Sequence, residues 1–269
     1  MRSDRYLFVS DLHLDASAPE GIAQFIEFLD GEARDAAALY ILGDLFEAWV
    51  GDDDPEPARN TVCNALRRYT DSGAPCFVLR GNRDFLLGPG FEQRTGCRLL
   101  PDPVLLERGT LRIFVSHGDP LCTADYSYQE FRSMVRNPEW QSRYLQLPMA
   151  TRRALAETAR RGSKAHTQRQ QAQIMDVHPH AVAEAFRISG TTMMIHGHTH
   201  RPAVHTEQTA AGSALRIVLG DWYGNGSYLA LSPDGYYEII ALPHRQSGPH
   251  AVGAPTPDQP STSTPATGA

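Results

Sequence analysis

The feature that most constrains this chain is a set of short apolar segments, several of which end in the same kind of polar residue. The clearest is 38–42, Ala-Leu-Tyr-Ile-Leu, which is followed by Gly43 and Asp44. Five consecutive apolar residues are typical of a strand buried on both faces, as in a parallel or mixed sheet with helices on either side. Gly43 allows a tight turn and leaves space beside the carboxylate. One such ending is usually only a strand boundary, so its meaning depends on similar endings elsewhere.

Similar segments recur along the chain, and amphipathic segments at 19–32 and 56–71 separate the first three of them. The segments and the polar residues that follow them are 6–10 before Asp11 and His13, 38–42 before Asp44, 76–80 before Asn82, 111–115 before His117, and 191–195 before His198 and His200. Strand, helix and strand in this order indicate βαβ units, so the sequence predicts an α/β fold.

The alternation stops in residues 123–189, which contain no convincing strand and are rich in Arg, Gln and Ala. Tyr144 and Leu145 look exposed between the basic residues of this block. These basic residues are Arg132, Arg136, Arg143, Arg152, Arg153, Arg160, Arg161, Lys164 and Arg169. We expect a helical insertion over the strand ends, with its last helix capped near Asp176 and ending at Gly190.

Strands resume after the insertion. Residues 228–231 and 236–242 are expected to form an antiparallel pair, joined by a turn at 232–235. From residue 244 the chain has almost no bulky apolar residue, which predicts a disordered tail. The chain therefore divides into a core (1–122 and 190–243), a helical insertion (123–189) and a tail (244–269).

Composition excludes several classes of function. Hydrophobic residues make up 41% and charged residues 21% of the 269 residues, and the net charge of -6 argues against general nucleic-acid binding. No apolar run approaches the roughly 20 residues of a membrane-spanning helix, and 6–10 is too short for a signal-peptide core. The four cysteines, Cys63, Cys76, Cys97 and Cys122, form no C-x-x-C pair. We therefore expect a cytosolic protein with reduced thiols, whose contact with any membrane is peripheral.

Seven polar residues follow the predicted strands. They are Asp11, His13, Asp44, Asn82, His117, His198 and His200. Because ligands bind at the carboxyl ends of strands in α/β sheets, we expect these side chains to converge. Alternate side chains of an extended segment share one side, so Asp11 with His13, and His198 with His200, can each chelate one ion. Imidazole and oxygen ligands together favour Mn²⁺, Fe²⁺ or Zn²⁺ over Mg²⁺ or Ca²⁺.

Seven ligands are too many for one ion and suit two ions about 3.5–4 Å apart that share a carboxylate. Asp44 is the natural bridge, because each of its oxygens can bind one ion. The amide oxygen of Asn82 is uncharged, which limits the negative charge near an anionic substrate. Two such ions can convert water to hydroxide and polarise the phosphoryl oxygens that it attacks. His196, Asp84 and Asp119 are expected to have structural roles instead, with Asp119 in a turn.

The strand endings resemble the ordered motifs of the calcineurin-like metallophosphoesterases. The motifs are Asp11-Leu12-His13, Gly43-Asp44, Gly81-Asn82-Arg83-Asp84, His117 and Gly197-His198-Thr199-His200, and the resemblance covers residues 5–122 and 190–243. It implies a β-sandwich flanked by helices and a dinuclear metal centre. By this pattern one ion takes Asp11, His13, Asp44 and His200, and the other takes Asp44, Asn82, His117 and His198.

Arg83 departs from the G-N-H-D pattern of many members of that family, whose histidine is thought to assist the leaving group. An arginine stays protonated and cannot donate a proton at neutral pH, but it can clamp phosphate oxygens. A phosphoanhydride has a good leaving group and needs less acid assistance. The substitution therefore favours a pyrophosphate substrate. The expected catalytic residues are Asp44, Asn82, Arg83 and His117.

The G-N-R-D motif and several further segments resemble one subfamily, the UDP-2,3-diacylglucosamine pyrophosphohydrolases of lipid A biosynthesis. These segments are residues 10–14, 44–47, 163–164, 174–177 and 198–202. The resemblance implies attack of water on the α-phosphorus, which releases UMP and 2,3-diacylglucosamine 1-phosphate (lipid X). It also implies an insertion that acts as a lid and binds acyl chains and head group. The implied head-group contacts are Asn82, Arg83, Asp125, Ser163 and His198, with Thr167 and Gln170 at positions where relatives often carry Asn and Lys.

We further expect two Mn²⁺ ions as cofactors and a monomer that binds no nucleic acid, placed peripherally on the cytoplasmic face of the bacterial inner membrane. Two other hypotheses stay open on the residues alone. The first is a general metallophosphoesterase for another nucleotide diphosphate or a phosphodiester. The second is a metal-poor scaffold that keeps the fold as a protein-binding module, and seven intact ligand positions argue against it.

Overall fold

A computed structural model describes residues 3–169, 176–210 and 212–243, and this description omits the side chains of residues 163–169. The strands in chain order are β1 (Tyr6–Val9), β2 (Ala38–Ile41), β3 (Cys76–Leu79), β4 (Arg98–Leu100), β5 (Val104–Arg108), β6 (Leu111–Val115), β7 (Met193–His196), β8 (Ala203–Thr209), β9 (Gly212–Val218), β10 (Ser227–Leu231) and β11 (Tyr237–Ala241). The helices are α1 (Pro19–Asp30), α2 (Pro57–Asp71), α3 (Pro89–Thr95), α4 (Tyr126–Val135), α5 (Pro138–Leu145), α6 (Met149–Arg169) and α7 (Pro179–Ser189).

These strands form two sheets. The first has the order β11-β10-β1-β2-β3-β4, in which β1 to β4 run parallel and β10 is antiparallel to both of its neighbours. The second has the order β5-β6-β7-β9-β8, in which β6, β7 and β9 run parallel and the edge strands β5 and β8 are antiparallel to them. The pairing of β10 with β11 confirms the hairpin expected near the end of the core.

The central core lies between the two sheets. Phe8 and Tyr40 from the first sheet belong to the same buried cluster as Ile113 and Ile195 from the second. The Tyr40 ring is fully buried and stacks on Phe8 and Phe77 at centroid distances of 4.8 and 5.0 Å. A second core joins the first sheet to α1, α2 and α3, and a third joins the second sheet to α7. The expected α/β sandwich flanked by helices is therefore confirmed.

Local sequence determines where two of the helices begin and end. The carboxylate of Glu56 caps α2 by accepting hydrogen bonds from the backbone N–H groups of its first turn. Helix α7 ends, as predicted, at Gly190, which has a left-handed φ of 62°. The predicted cap at Asp176 is wrong, because His178 caps α7 and Asp176 instead accepts a hydrogen bond from Arg201 at 2.8 Å.

Four elements are not evident from the sequence, namely α3, β4, β5 and β8. Helix α3 has seven residues and β4 has three, which is too short for a periodic pattern to show. Strand β8 reads Ala-Val-His-Thr-Glu-Gln-Thr and is largely exposed at the edge of its sheet. Pairing with a neighbouring strand, rather than their own patterns, therefore defines the missed strands.

The described elements between residues 123 and 189 are helices α4 to α7, but the expectation that Tyr144 is exposed is wrong. Tyr144 is buried, and its ring stacks on Trp140 at 5.0 Å. Arg152 is also buried, and its guanidinium donates to the carbonyl of Val50 at 2.8 Å and to the carboxylate of Asp53 at 2.7 Å. At least one arginine of the basic block therefore connects these helices to the core and is not exposed to solvent.

None of the described helices is both long and apolar enough to cross a membrane. All four cysteines are buried, and none of them forms a disulfide bond within the described residues. The predicted tail, 244–269, lies outside the described residues. The boundaries between core, insertion and tail, and the role of the insertion as a lid, stay predictions.

Candidate metal centre

The carboxyl ends of strands from both sheets meet at one edge of the sandwich. Asp11 follows β1, Asp44 follows β2, Asn82 follows β3, His117 follows β6 and His198 follows β7. Backbone hydrogen bonds join the loops after β1 and β2, from Asp11 N–H to Gly43 O at 3.2 Å and from His13 N–H to Asp44 O at 2.9 Å. The parallel order of the strands thus brings together side chains that are far apart in the chain.

Asp11, His13 and His200 form the first cluster of metal-ligand atoms. The Nε2 atoms of His13 and His200 are 3.3 Å apart, and they lie 3.9 and 3.3 Å from Asp11 Oδ1. Asp11 is fully buried, and its Oδ1 has no hydrogen bond of good geometry within the described residues. Its Oδ2 accepts the backbone N–H of His198 at 2.8 Å. A buried carboxylate oxygen that faces two imidazole nitrogens fits a divalent cation.

Asn82, His117 and His198 form the second cluster. Asn82 Oδ1 lies 2.9 Å from both His117 Nε2 and His198 Nδ1. His117 is fully buried, and its Nδ1 lies 2.8 Å from the carbonyl oxygen of Leu42. A proton on Nδ1 that is donated to this carbonyl leaves the lone pair on Nε2, the nitrogen that faces the site.

Asp44 lies between the two clusters. Its Oδ2 is 3.8 Å from His13 Nε2 and 3.9 Å from His117 Nε2, and its Oδ1 accepts the backbone N–H of Arg83 at 2.7 Å. Ligand atoms of Asp11, Asp44 and His117 all lie within 4.8 Å of one another. Asp44 therefore faces both clusters, and its role as the bridge stays a prediction.

The ligand loops do not have the extended backbone on which the chelation argument rested. Asp11, His13, Asp44, His198 and His200 have φ between 50° and 68°, and they are the only non-glycine residues with a positive φ in the described ranges. The extended backbone assumed for both pairs is therefore wrong, although Asp11 and His13 do lie in one cluster. His198 and His200 instead lie in different clusters, the division that the family resemblance implied.

Close packing explains two glycines of the strand-ending motifs. Gly43 has a φ of 94°, and a Cβ there would lie 2.6 Å from His117 Nδ1 and 2.7 Å from the backbone of Gly81. A Cβ on Gly81 would overlap the carboxylate of Asp44. These positions lack side chains because the loops approach one another too closely to hold them.

Asp84 holds the loop of Asp44 in place, the structural role expected of it. Its carboxylate accepts the backbone N–H groups of Gly81 at 2.7 Å, Leu45 at 2.8 Å and Asp44 at 3.3 Å. Burial and the neighbouring Asp44 carboxylate raise the pKa of Asp84 to about 6. His196 is likewise structural, because it is buried and lies 3.3 Å from the guanidinium of Arg216.

The acids and imidazoles of the site perturb one another strongly. Burial would raise the pKa of Asp11, but the close contact with His200 and the charges of His117, His200 and His13 hold it well below its usual range. Against the effect of burial, Asp44, Asp11 and other carboxylates raise the pKa of His117 to about 9. Burial lowers the pKa of His198 to about 4. Protons on imidazoles thus offset the buried carboxylates, and divalent cations can replace those protons.

A cavity of about 550 Å³ opens beside the second cluster, between the core and helices α4, α5 and α6. Asn82 and Arg83 line it on the side of the metal centre. Most of its wall is apolar and includes Trp49, Phe85, Leu86, Tyr128, Phe131, Val135, Trp140, Tyr144 and Leu155. The charged side chains of Glu47 and Arg160 also reach it. The site therefore combines the polar residues of the metal centre with an adjoining cavity whose lining is mostly apolar.

Three of the predicted head-group residues lie at this junction. Asn82 and Arg83 line the cavity, and His198 contacts Asn82. Asp125 is buried at the start of α4, where its Oδ1 accepts the backbone N–H of Tyr128 at 3.1 Å as the helix cap. This capping contact defines a structural role for Asp125, and contact with a head group stays a prediction.

Ser163 and Thr167 lie in α6, but their side chains are outside the description, and Gln170 lies wholly outside the described residues. Other residues of helix α6 line the cavity, among them Leu155, Ala156 and Arg160. The contacts of Ser163, Thr167 and Gln170 therefore stay predictions.

Sequence reasoning missed the carboxylates that surround the first cluster. His13 Nδ1 lies 3.0 Å from Glu47 Oε2, and His200 Nδ1 lies 3.3 Å from Asp221 Oδ2. The ring of Tyr223 stacks on His13 at 4.8 Å. The available signal was position, because Glu47 follows the Asp44 motif closely and Asp221 comes two residues after the segment 215–219, Leu-Arg-Ile-Val-Leu.

Asp119 is more than the turn residue expected from the sequence. It is fully buried, and its Oδ2 accepts hydrogen bonds from the hydroxyl of Tyr128 and from Nε of Arg132, each at 2.7 Å. The Tyr128 ring lies 5.6 Å from the ring of His198. Asp119 therefore fastens α4 against the second cluster.

Residues 4–202 match the calcineurin-like phosphoesterase family. The sandwich, the two clusters of ligand atoms and this match agree, and the chain belongs to that family. It is accordingly a metal-dependent hydrolase, and the family and the candidate ligands support binding of divalent metal ions.

Two relatives that carry a functional name are similar to this chain over most of its length. A UDP-2,3-diacylglucosamine hydrolase of Stenotrophomonas maltophilia (strain R551-3) is 48% identical over 237 residues, which cover 86% of this chain and 96% of the relative. The protein of the same name from Salmonella typhi is 46% identical, over 88% of this chain and 98% of the relative. Among solved structures, an archaeal phosphodiesterase has a TM-score of 0.46 and 15% identity, over 88% of this chain and 99% of that structure.

Proposed function

We propose that this chain hydrolyses the pyrophosphate bond of UDP-2,3-diacylglucosamine in lipid A biosynthesis. Water attacks the α-phosphorus, and the products are UMP and 2,3-diacylglucosamine 1-phosphate (lipid X). The observation that carries this proposal is the apolar cavity, which opens beside the metal centre and shares Asn82 and Arg83 with it. A substrate with a diphosphate and two acyl chains on one sugar needs both features in contact. The name of the 48% identical relative supports the same substrate.

The seven candidate ligands fit two divalent ions. One ion would be held by Asp11, His13, Asp44 and His200, and the other by Asp44, Asn82, His117 and His198. Mn²⁺ suits this mixture of imidazole, carboxylate and amide ligands better than Mg²⁺ or Ca²⁺ does. When bound, two such ions lower the pKa of water and offset the charge that develops on the phosphoryl oxygens.

The chain's own residues orient the diphosphate. Asp44 keeps its carboxylate between the clusters because the backbone N–H of Arg83 binds one of its oxygens. Asn82 presents a neutral oxygen, which avoids further repulsion of the anionic substrate. Arg83 lines the cavity on the side of the metal centre, where its planar guanidinium can clamp two phosphate oxygens. Lipid X leaves as a phosphate anion, so the reaction needs no proton donor at position 83.

Helices α4 to α6 supply the site for the acyl chains. Trp140, Tyr144 and Leu155 line the cavity together with the core residue Leu86. Each methylene that enters this apolar space contributes about 0.8 kcal/mol to binding. Binding of the lipid in this cavity brings the diphosphate towards Asn82. In this proposal the helices act as the lid of the site.

The remaining head-group contacts are assigned to the start of α4 and to positions 163, 167 and 170. Asp125, Ser163, Thr167 and Gln170 are the proposed residues, together with the side chains that already line the junction. Relatives often carry Asn at the position of Thr167 and Lys at that of Gln170, and Gln170 makes a weaker contact in this proposal because it lacks the charge of a lysine.

A peripheral position on the cytoplasmic face of the bacterial inner membrane completes the proposal. Several apolar side chains on the insertion are exposed, among them Phe131, Met134, Leu145, Leu147 and Leu155. Exposed apolar residues beside a lipid-binding cavity are suited to contact with a membrane surface. We also propose that the protein acts as a monomer and binds no nucleic acid.

The test is release of UMP from UDP-2,3-diacylglucosamine by the purified full chain with added Mn²⁺, and again after chelation. We expect turnover with Mn²⁺, its loss on chelation and its recovery when the ion is restored. A small water-soluble phosphodiester serves as the comparison substrate. Faster hydrolysis of that diester than of the acylated sugar nucleotide would contradict the proposed substrate and favour a general phosphoesterase. A chain that retained no divalent metal would favour the scaffold hypothesis.

A further inference from the structure

Glu47 is not one of the seven candidate ligands, yet it contacts one of them. Its Oε2 lies 3.0 Å from His13 Nδ1, whereas His13 Nε2 faces Asp11 and Asp44. The two atoms are close, but they do not form a hydrogen bond of good geometry, and His13 Nδ1 has no other such bond within the described residues. Glu47 therefore touches the imidazole on the side opposite to the metal site.

Tyr223 and His13 hold the carboxylate of Glu47 in this position. The Tyr223 hydroxyl donates to Glu47 Oε2 at 3.1 Å. The rings of Tyr223 and His13 stack nearly parallel, with an angle of 9° between their planes. Glu47 Oε2 therefore has a polar group on each side, the Tyr223 hydroxyl and Nδ1 of the His13 ring.

The other oxygen of Glu47 faces helix α6. Arg160 Nη1 lies 3.7 Å from Glu47 Oε1, and the second ion-pair partner of Arg160 is Glu157 at 2.7 Å. Glu47 and Arg160 both line the apolar cavity. One carboxylate thus contacts a candidate metal ligand on one side and the cavity wall on the other.

We propose that Glu47 is a positioning residue for His13 and that it links the metal centre to α6. A carboxylate at Nδ1 keeps the proton on that nitrogen and leaves Nε2 as the metal-binding atom. Arg160 holds the same carboxylate from the side of the cavity. Because coupling between two sites is reciprocal, a lipid that fixes α6 tightens metal binding, and metal binding fixes the cavity wall. The metal half of this inference is independent of the proposed substrate, and the lipid half rests on it.

The test is the dissociation constant of Mn²⁺ for the purified full chain, measured by calorimetric titration or from the free Mn²⁺ signal in electron paramagnetic resonance. Glu47→Ala should weaken binding about 10–100-fold, the usual effect of removing a carboxylate behind a metal-bound histidine. Glu47→Gln should recover much of this loss, because its amide oxygen can accept the Nδ1 proton. Should the alanine variant fail to fold, Glu47→Met keeps the side-chain length without an acceptor and should show the same loss.

Glu157→Ala is the matched control. It removes the other partner of Arg160 without approaching His13, so Mn²⁺ affinity should change by less than about twofold, as for most exposed ion pairs. Arg160→Ala should weaken Mn²⁺ binding less than Glu47→Ala does. Combining Arg160→Ala with Glu47→Ala should cost no further affinity, because the link passes through Glu47.

Wild-type Mn²⁺ affinity in a folded Glu47→Ala or Glu47→Met variant would overturn the inference, and so would equal losses in Glu47→Ala and Glu157→Ala. Additive losses in the double variant would overturn the link to α6. Failure of the proposed function is a different result. A wild-type chain that binds Mn²⁺ but releases no UMP would contradict the substrate, and the effect of Glu47 on metal affinity would stand.

Discussion

Five candidate metal ligands have a left-handed backbone, a conformation that costs about 1–3 kcal/mol for a residue with a side chain. The surrounding loops maintain it through hydrogen bonds such as His13 N–H to Asp44 O and the three that Asp84 accepts. Strain of this kind persists only where neighbouring contacts over-determine the backbone. Its concentration at five ligand positions indicates that the fold is built to present these side chains.

Replacing Asp44 tests this arrangement at a single residue. Asp44→Ala should reduce UMP release by more than the about 10–100-fold loss typical of residues that only orient a ligand, because the bridging carboxylate is removed. The fold should persist, because the change also removes a carboxylate that repels Asp84. Initial rates with Mn²⁺ and thermal unfolding without metal measure the two effects. Near-normal turnover would refute the bridge.

Arg83 allows a second test at the residue scale. Arg83→Lys keeps the charge but loses the planar fork, so kcat/KM for the diphosphate should fall by about tenfold or more, equivalent to about 1.4 kcal/mol. Arg68→Lys, on the exposed face of α2, is the matched control and should have no effect. If both variants hydrolysed the substrate at the wild-type rate, Arg83 would not clamp the phosphates.

The sequence could predict which residue types gather at the site but not their backbone conformation. The seven ligand types follow from the strand endings, and the structure brings them together. The left-handed φ values come from contacts between loops distant in sequence, such as Gly43 against Gly81. Glu47 and Asp221 were missed for the same reason, because only the folded chain shows that each faces a histidine.

At the scale of single elements, helix α6 is fastened to the core by Arg152. Its buried guanidinium binds the carbonyls of Val50 and Leu147 and the carboxylate of Asp53, on the loop before α2. Since these contacts join the cavity wall to the core, the position of α6 depends on one arginine of the basic block.

Arg152→Ala should loosen α6 and lower the free energy of unfolding by about 1–3 kcal/mol, because buried carbonyl groups lose their donor. Hydrogen exchange should quicken in 149–162, and KM for the lipid substrate should rise. The exposed Arg161 provides the control, since Arg161→Ala removes an arginine of the same helix without these contacts. Equal exchange rates in wild type and Arg152→Ala would contradict this anchoring role.

Elements with strong patterns were predictable, and elements defined by pairing were not. The fully buried β2 appears in the sequence as an unbroken apolar run. Strand β8 lacks such a run because one face is open to solvent and its partner β9 supplies the pairing. The burial of Tyr144 was missed because it depends on Trp140 and the core, not on the local sequence of α5.

At the scale of the whole molecule, two sheets place the ligands and three helices enclose the space beside them. The metal centre draws residues from both sheets, so it exists only when the sandwich is closed. The cavity lies where this edge meets α4 to α6, which explains how a lipid and a diphosphate could be bound together. The sequence indicated an α/β core with a helical block, and the family resemblance implied the sandwich, but neither could show the cavity between them.

Filling the cavity with a larger side chain tests whether the cavity binds the acyl chains while the metal centre binds the diphosphate. Ala156 lines the cavity on α6, and Ala156→Trp should raise KM for the diacylated substrate by about tenfold or more, because the indole occupies the space for an acyl chain. Hydrolysis of a small water-soluble phosphodiester should be unchanged. Ala154, on the exposed face of the same helix, gives the control variant Ala154→Trp. Equal KM values for the lipid substrate in both variants would show that the acyl chains bind elsewhere.

The most direct test of the central claim is anomalous diffraction from crystals of the full chain grown with Mn²⁺. We predict two anomalous peaks about 3.5–4 Å apart, one on each side of the Asp44 carboxylate. One peak should lie against Asp11, His13 and His200, and the other against Asn82, His117 and His198. A single peak, or two peaks that do not share Asp44, would contradict the dinuclear centre.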